Sequence, residues 1–260
     1  ISGASIFEQS MVLRFALREK KFPEVIWGID FFSLSSPNEE STLPQYLYDK
    51  SSINDFYYLV NPYITRLILK QIVFRFTTRK SGTFTFDWFT NFWFPIYKHE
   101  FSEHVVLDKF ESNKRTFVEL RYDLSTLIMN FDRYVAPLFH EYPKTTFFLF
   151  FPPYSILYFA SILHYDPSSF ETLLAFKRYV SEKVEAFDNV FVYDFQDMYD
   201  VVENLNNYKD TTHYSLCVSE LIIESIFTKL MNGIKRHISD ENEFRSHVSL
   251  ARQKFGDVIE

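Results

Sequence analysis

Asp210 and His213 stand three residues apart in Asn207-Tyr208-Lys209-Asp210-Thr211-Thr212-His213-Tyr214-Ser215, the chain's only D-x-x-H. In a tight turn that spacing sets a carboxylate beside an imidazole. The acid can then take a hydrogen bond from one ring nitrogen and leave the other free as a base. A plainer role competes with this one: Asp210 or Thr211 caps the final helix, and His213 is a residue of its first turn. A second stretch, Ile1-Ser2-Gly3-Ala4-Ser5, precedes an amphipathic helix. Gly3 lets backbone N–H groups approach a substrate oxygen, which suits an oxyanion, while Ser2 or Ser5 also fits an ordinary N-cap. Tyr154 and Ser155 follow Pro152-Pro153 and either line a site or stiffen a turn. His99, His104, His140 and His164 share no metal-ligand spacing, so no metal and no cofactor is expected.

These groups need elements to hold them. Residues 5–21 carry Phe7, Met11, Val12, Phe15 and Ala16 at helical spacing, and Pro23 ends the pattern. Val25–Phe32 reads as a strand buried on both faces, followed by the polar loop Ser33–Ser41. From about 42 to 110 the pattern weakens into an aromatic-rich, mostly helical insertion, in which Trp88, Phe89, Phe92, Trp93 and Phe94 would make a lid or lipid-facing patch if exposed. A helical pattern over 111–140, a strand Thr145–Phe151, a helix 168–187, a strand Asn189–Tyr193 and a helix from about Tyr214 to Lys235 follow. Such alternation predicts a single α/β domain over 1–260, with a mainly parallel sheet between two helical layers. The charged stretch from about 239 to 260 reads as a solvated helix. Ligands of parallel sheets sit at the carboxyl ends of the strands, here Asp30–Ser33, Pro152–Ser155 and Tyr193–Asp194.

Composition narrows the function classes. The 260 residues carry a formal net charge of −7, against a phosphate-backbone binder, so no nucleic-acid partner is expected. The single cysteine, Cys217, leaves no internal disulfide and no thiolate zinc cluster. Aromatic residues reach 20%, and the longest apolar tracts are interrupted by charges before the ~20 residues that span a bilayer.

Taken together, Ile1-Ser2-Gly3-Ala4-Ser5 and Asp210-Thr211-Thr212-His213 resemble the second and fifth blocks of the SGNH (GDSL-like) hydrolase superfamily. Glu8-Gln9-Ser10, Trp27-Gly28-Ile29-Asp30-Phe31-Phe32-Ser33, Phe151-Pro152-Pro153-Tyr154-Ser155 and Tyr208-Lys209-Asp210 are similar to its members that modify bacterial cell-surface polysaccharides, including those of alginate O-acetylation and teichoic-acid D-alanylation. The resemblance implies a three-layer α/β/α, flavodoxin-like sandwich and an esterase or O-acyl(acetyl)transferase of the cell envelope, exported either free or on a membrane anchor. It implies His213 as base, Asp210 as its orienter and Gly3 as oxyanion donor, while position at the strand ends makes Asp30, Tyr154 and Ser155 the substrate-binding candidates. The implied partners are a carbohydrate or acyl-ester substrate and a membrane-associated acyl-transfer protein.

Two departures bear on this. The family's nucleophile belongs to a G-x-S one strand before the second block, and a chain starting at Ile1 has no room for it, so the expectation is an N-terminally truncated domain whose serine lies upstream. The third block, G-x-N-D, falls on Gly28-Ile29-Asp30 without its Asn. An alternative alignment makes Gly3-Ala4-Ser5 the first block, with Ser5 as nucleophile. A non-catalytic carbohydrate-binding or assembly protein on the same fold stands beside the enzyme as the rival reading.

Overall fold

The computed structural model describes residues 4–35 and 101–260, together with Tyr48 and Arg66. In chain order its helices are α1 (Ile6–Glu19), α2 (Phe31–Leu34), α3 (Glu103–Glu119), α4 (Leu124–Asn130), α5 (Ala136–Glu141), α6 (Ile156–Tyr165), α7 (Pro167–Lys183), α8 (Tyr199–Val202), α9 (Leu216–Met231), α10 (Glu241–Lys254) and α11 (Gly256–Ile259). The strands β1 (Glu24–Gly28), β2 (Thr146–Phe151), β3 (Val190–Asp194) and β4 (Arg236–His237) form one sheet in the order β1-β2-β3-β4, every pair parallel. The α/β class with a parallel sheet read from the sequence is what the structure shows.

Strand pleating sorts side chains between two cores. Phe147, Leu149 and Phe151 of β2 and Val190 and Val192 of β3 point into the larger one, with α1–α7, α10 and α11 packed around it. Phe148 and Tyr193 point the other way, against Val201 of α8 and Val218, Ile222 and Ile226 of α9. Period-2 alternation therefore gives each face its own helical cover. Gly28 pairs with Phe150, and a Cβ there would lie 3.1 Å from the Phe150 ring, so the close approach of β1 to β2 favours glycine.

Local chemistry sets the element ends. Ser5 and Glu8 form a reciprocal capping box at the start of α1, an arrangement whose Ser→Ala loss typically costs about 1 kcal/mol. Gln9, next along, accepts the Trp27 indole N–H at 2.8 Å and so fixes α1 to β1. The helix ends at Glu19, ahead of Pro23.

Several elements differ from the expectation. The 111–140 pattern is not one helix: Leu120 closes α3, Asp123 caps α4 through the Thr126 N–H, and a π-helical turn, Phe131–Val135, leads into α5. Asp123 and its two hydroxyl partners, Ser125 and Thr126, outcompete continued helix at that point. The strand after Pro23 stops at Gly28 because Asp30 caps α2 by accepting the Phe32 N–H. The tail helix α10 is not solvated all round, since Phe244, Val248 and Ala251 are buried, and Phe244 packs on Phe159 of α6. The aromatic residues Trp88–Phe94 of the expected insertion lie outside the described residues, and α3 already begins within its assigned range.

Candidate functional site

The loop between α8 and α9 carries Asp210 and His213. One Asp210 oxygen, Oδ1, accepts the backbone N–H of Thr212 at 3.0 Å and that of His213 at 2.8 Å, which folds the four residues into a tight turn. The turn returns the imidazole onto the carboxylate. His213 Nδ1 lies 2.9 Å from Oδ1 and 2.8 Å from Oδ2. Burial alone raises the carboxyl's pKa, but the hydrogen bond and charge of His213 and the two backbone N–H groups outweigh it and hold Asp210 far below the usual carboxylate range. Nε2 has no partner among the described residues, and the His213 side chain is 62% exposed. The pair thus presents one imidazole nitrogen outward while the other is held by an anion.

Asp210 does not cap α9. Ser215 occupies that position, and α9 begins only at Leu216. The antiparallel bridge between Tyr208 and Tyr214, with Ser215 N–H donating to Asn207 O at 2.8 Å, closes the base of the loop instead.

The carboxyl end of β2 anchors this loop. Beyond Phe151, the buried Tyr208 hydroxyl donates to Pro153 O at 2.6 Å, and Ser155 donates to Thr211 O through its backbone N–H at 3.0 Å and its hydroxyl at 2.9 Å. Tyr154, one residue earlier, reaches the other way and donates to Asp30 Oδ1 at 2.6 Å. Asp30 also accepts the Phe32 N–H, while its Oδ2 has no partner among the described residues. The Tyr214 phenol, pushed up to about 12 by burial and then by the charge of Asp30, stands near the same carboxylate. The structure thus brings Asp30, Tyr154, Ser155, Asp210 and His213 to one rim. No family model, curated protein or solved structure matches this chain.

Other predicted residues fall elsewhere. Gly3 lies outside the described residues. Ser5 is the N-cap of α1, its hydroxyl accepting the Glu8 N–H at 3.3 Å. Ser155 is fully buried with its hydroxyl engaged, so the position assigned to substrate contact holds a side chain turned inward. Among the described residues no group of three His, Cys, Asp or Glu side chains is placed to hold a metal ion, and no helix is long and apolar enough to cross a membrane.

Two features of the rim escaped the sequence reading. Tyr122 and Tyr158 place their hydroxyls 2.5 Å apart behind Tyr154, whose ring meets Tyr158 edge-on. Lys177 and Asp194, 2% and 0% exposed, form a buried ion pair at 2.7 Å below the rim. Asp194 also accepts from Gln196 N and Ser239 Oγ, while Gln196 accepts from Lys177 at 3.1 Å and donates to Pro152 O at 3.4 Å. The position of Asp194 at the end of an apolar strand was the one signal for it. Lys177 falls on the same helical stripe as the buried Phe170, Leu173 and Leu174, so periodicity places it on the inner face, but nothing local shows which charge meets it there.

Proposed function

We propose that this chain is an SGNH-like esterase or O-acyl(acetyl)transferase acting on a cell-surface carbohydrate, with an attacking serine contributed by sequence upstream of Ile1. The observation that carries the reading is the His213–Asp210 pair at 2.8 Å with its outer nitrogen open. In the neutral ring, a carboxylate against Nδ1 keeps the proton on that side and makes Nε2 the acceptor for a proton from a serine hydroxyl as it attacks an ester carbonyl. As the imidazole becomes cationic, Asp210 stabilises it. Gly3 N–H serves the tetrahedral oxyanion in this scheme. Asp30, with one carboxylate oxygen unpartnered among the described residues beside Tyr154 and Tyr214, accepts a hydroxyl of the sugar. Export and a membrane-associated acyl donor belong to the same proposal and rest on the motif resemblance.

A fluorophosphonate probe with peptide mapping tests it. The expected result is one serine adduct outside residues 1–260 that His213→Ala abolishes. An adduct on Ser5 would select the other alignment. Absence of any adduct would favour the non-catalytic carbohydrate binder, a reading supported by the Ser5 hydroxyl already serving as a helix cap.

A further inference from the structure

We infer that Ser155 is a positioning residue for the Asp210–His213 pair, an inference that rests on the catalytic reading of that pair. Both donors of Ser155, its N–H and its hydroxyl, converge on a single acceptor, Thr211 O, at 3.0 and 2.9 Å. Thr211 lies between Asp210 and His213, and the peptide it begins carries the Thr212 N–H that Asp210 Oδ1 accepts. A rotation of that peptide would move the carbonyl off Ser155 and the N–H off Asp210 together. Ser155 therefore holds the turn in the one orientation that presents the carboxylate to Nδ1.

The anchor is itself rigid. Ser155 is fully buried at the start of α6, and its carbonyl accepts the Tyr158 N–H at 3.0 Å. Tyr154, the preceding residue, is tied to Asp30. Tyr208 docks the upstream end of the same loop on Pro153 O. One short segment after β2 thereby sets the distance between the imidazole and the loop that follows β1. A residue whose hydroxyl points inward cannot contact a sugar at the rim, so its contribution reaches the reaction only through His213.

Imidazole ¹⁵N NMR tests this without relying on turnover. In the wild type, His213 should populate the tautomer protonated at Nδ1, and Asp210→Asn should abolish that preference. Ser155→Ala should shift the tautomer ratio at least several-fold toward Nε2–H and speed exchange of the Thr212 and His213 amides about tenfold, with Ser155→Thr restoring the wild-type signals. If Ser155→Ala fails to fold, Ser155→Cys, which fills the same space with a weak donor, should give a partial shift in the same direction. Wild-type signals in Ser155→Ala or Ser155→Cys, alongside an altered Asp210→Asn spectrum, would overturn the inference and leave the catalytic pair standing. An Asp210→Asn spectrum identical to wild type would overturn both.

Discussion

Tyr154 donates its hydroxyl to Asp30 across 2.6 Å, joining the loop after β2 to the loop after β1 at the carboxyl rim of the sheet. Tyr154 is 7% exposed, so Tyr154→Phe leaves the ring packed and removes only the bond to a charged acceptor. Loss of such a bond costs about 1.5–3 kcal/mol. Thermal and urea denaturation should register that loss, and if Asp30 binds the sugar as proposed, KM in an acyl-transfer assay should rise because the carboxylate has lost its orienting bond. Unchanged stability and unchanged KM would return Tyr154 to a packing role.

His213→Ala should be the most damaging substitution in ester cleavage or acetyl transfer, lowering turnover by about 10²–10⁴-fold, as expected for loss of a general base. Asp210→Asn should follow it, because the imidazole remains present but is no longer held in the right tautomer. Full activity in a folded His213→Ala protein would remove His213 from the mechanism.

Acid titration should expose the contribution of Asp210 to stability. Its native pKa lies well below the unfolded value of about 3.9. Its stabilisation is therefore complete above that pH and is lost as pH falls toward the native value. Urea midpoints should show Asp210→Asn less stable than wild type at about pH 5, with the gap narrowing from about pH 4 downward.

Lys177→Met should cost about 3–5 kcal/mol, because it strands Asp194 as a buried charge. Replacing both partners with apolar residues should not recover the loss, since Gln196 N and Ser239 Oγ would then lack their acceptor. A double variant as stable as wild type, measured by urea unfolding, would contradict this.

How far the sequence speaks depends on whether a residue's role is local. The bonds of Asp210 to the Thr212 and His213 N–H groups and to His213 Nδ1 close within four residues, so that part of the D-x-x-H geometry could be read from spacing. The strands β1, β2 and β3 announced themselves as short apolar runs, although Phe31 and Phe32 continued the run past the point where Asp30 turns the chain into α2. The break before α4 was hidden because Leu120, Leu124 and Leu127 keep a helical period across it, while the Asp123 cap that causes it is polar and brief. The inward turn of Ser155 depends on Thr211, far along the chain, and although Lys177 lies on the apolar stripe of its helix, the Asp194 and Gln196 that satisfy its charge come from another element. Partners so distant leave no mark on the local pattern.

Neighbouring strands in this sheet are unequally separated along the chain: residues 29–145 intervene between β1 and β2, but only residues 152–189 between β2 and β3. By loop-closure entropy the first pairing is about 1 kcal/mol harder to close than the second. Folding is therefore biased toward a β2–β3 nucleus, with β1 arriving afterwards. Since β1 delivers Asp30, a molecule caught before that step already has the strand end on which Ser155 clasps the D-x-x-H turn, yet lacks the carboxylate proposed to receive the sugar. The proposed sugar contact is then acquired last, and a lesion that weakens only the β1 edge would uncouple it from the Asp210–His213 pair.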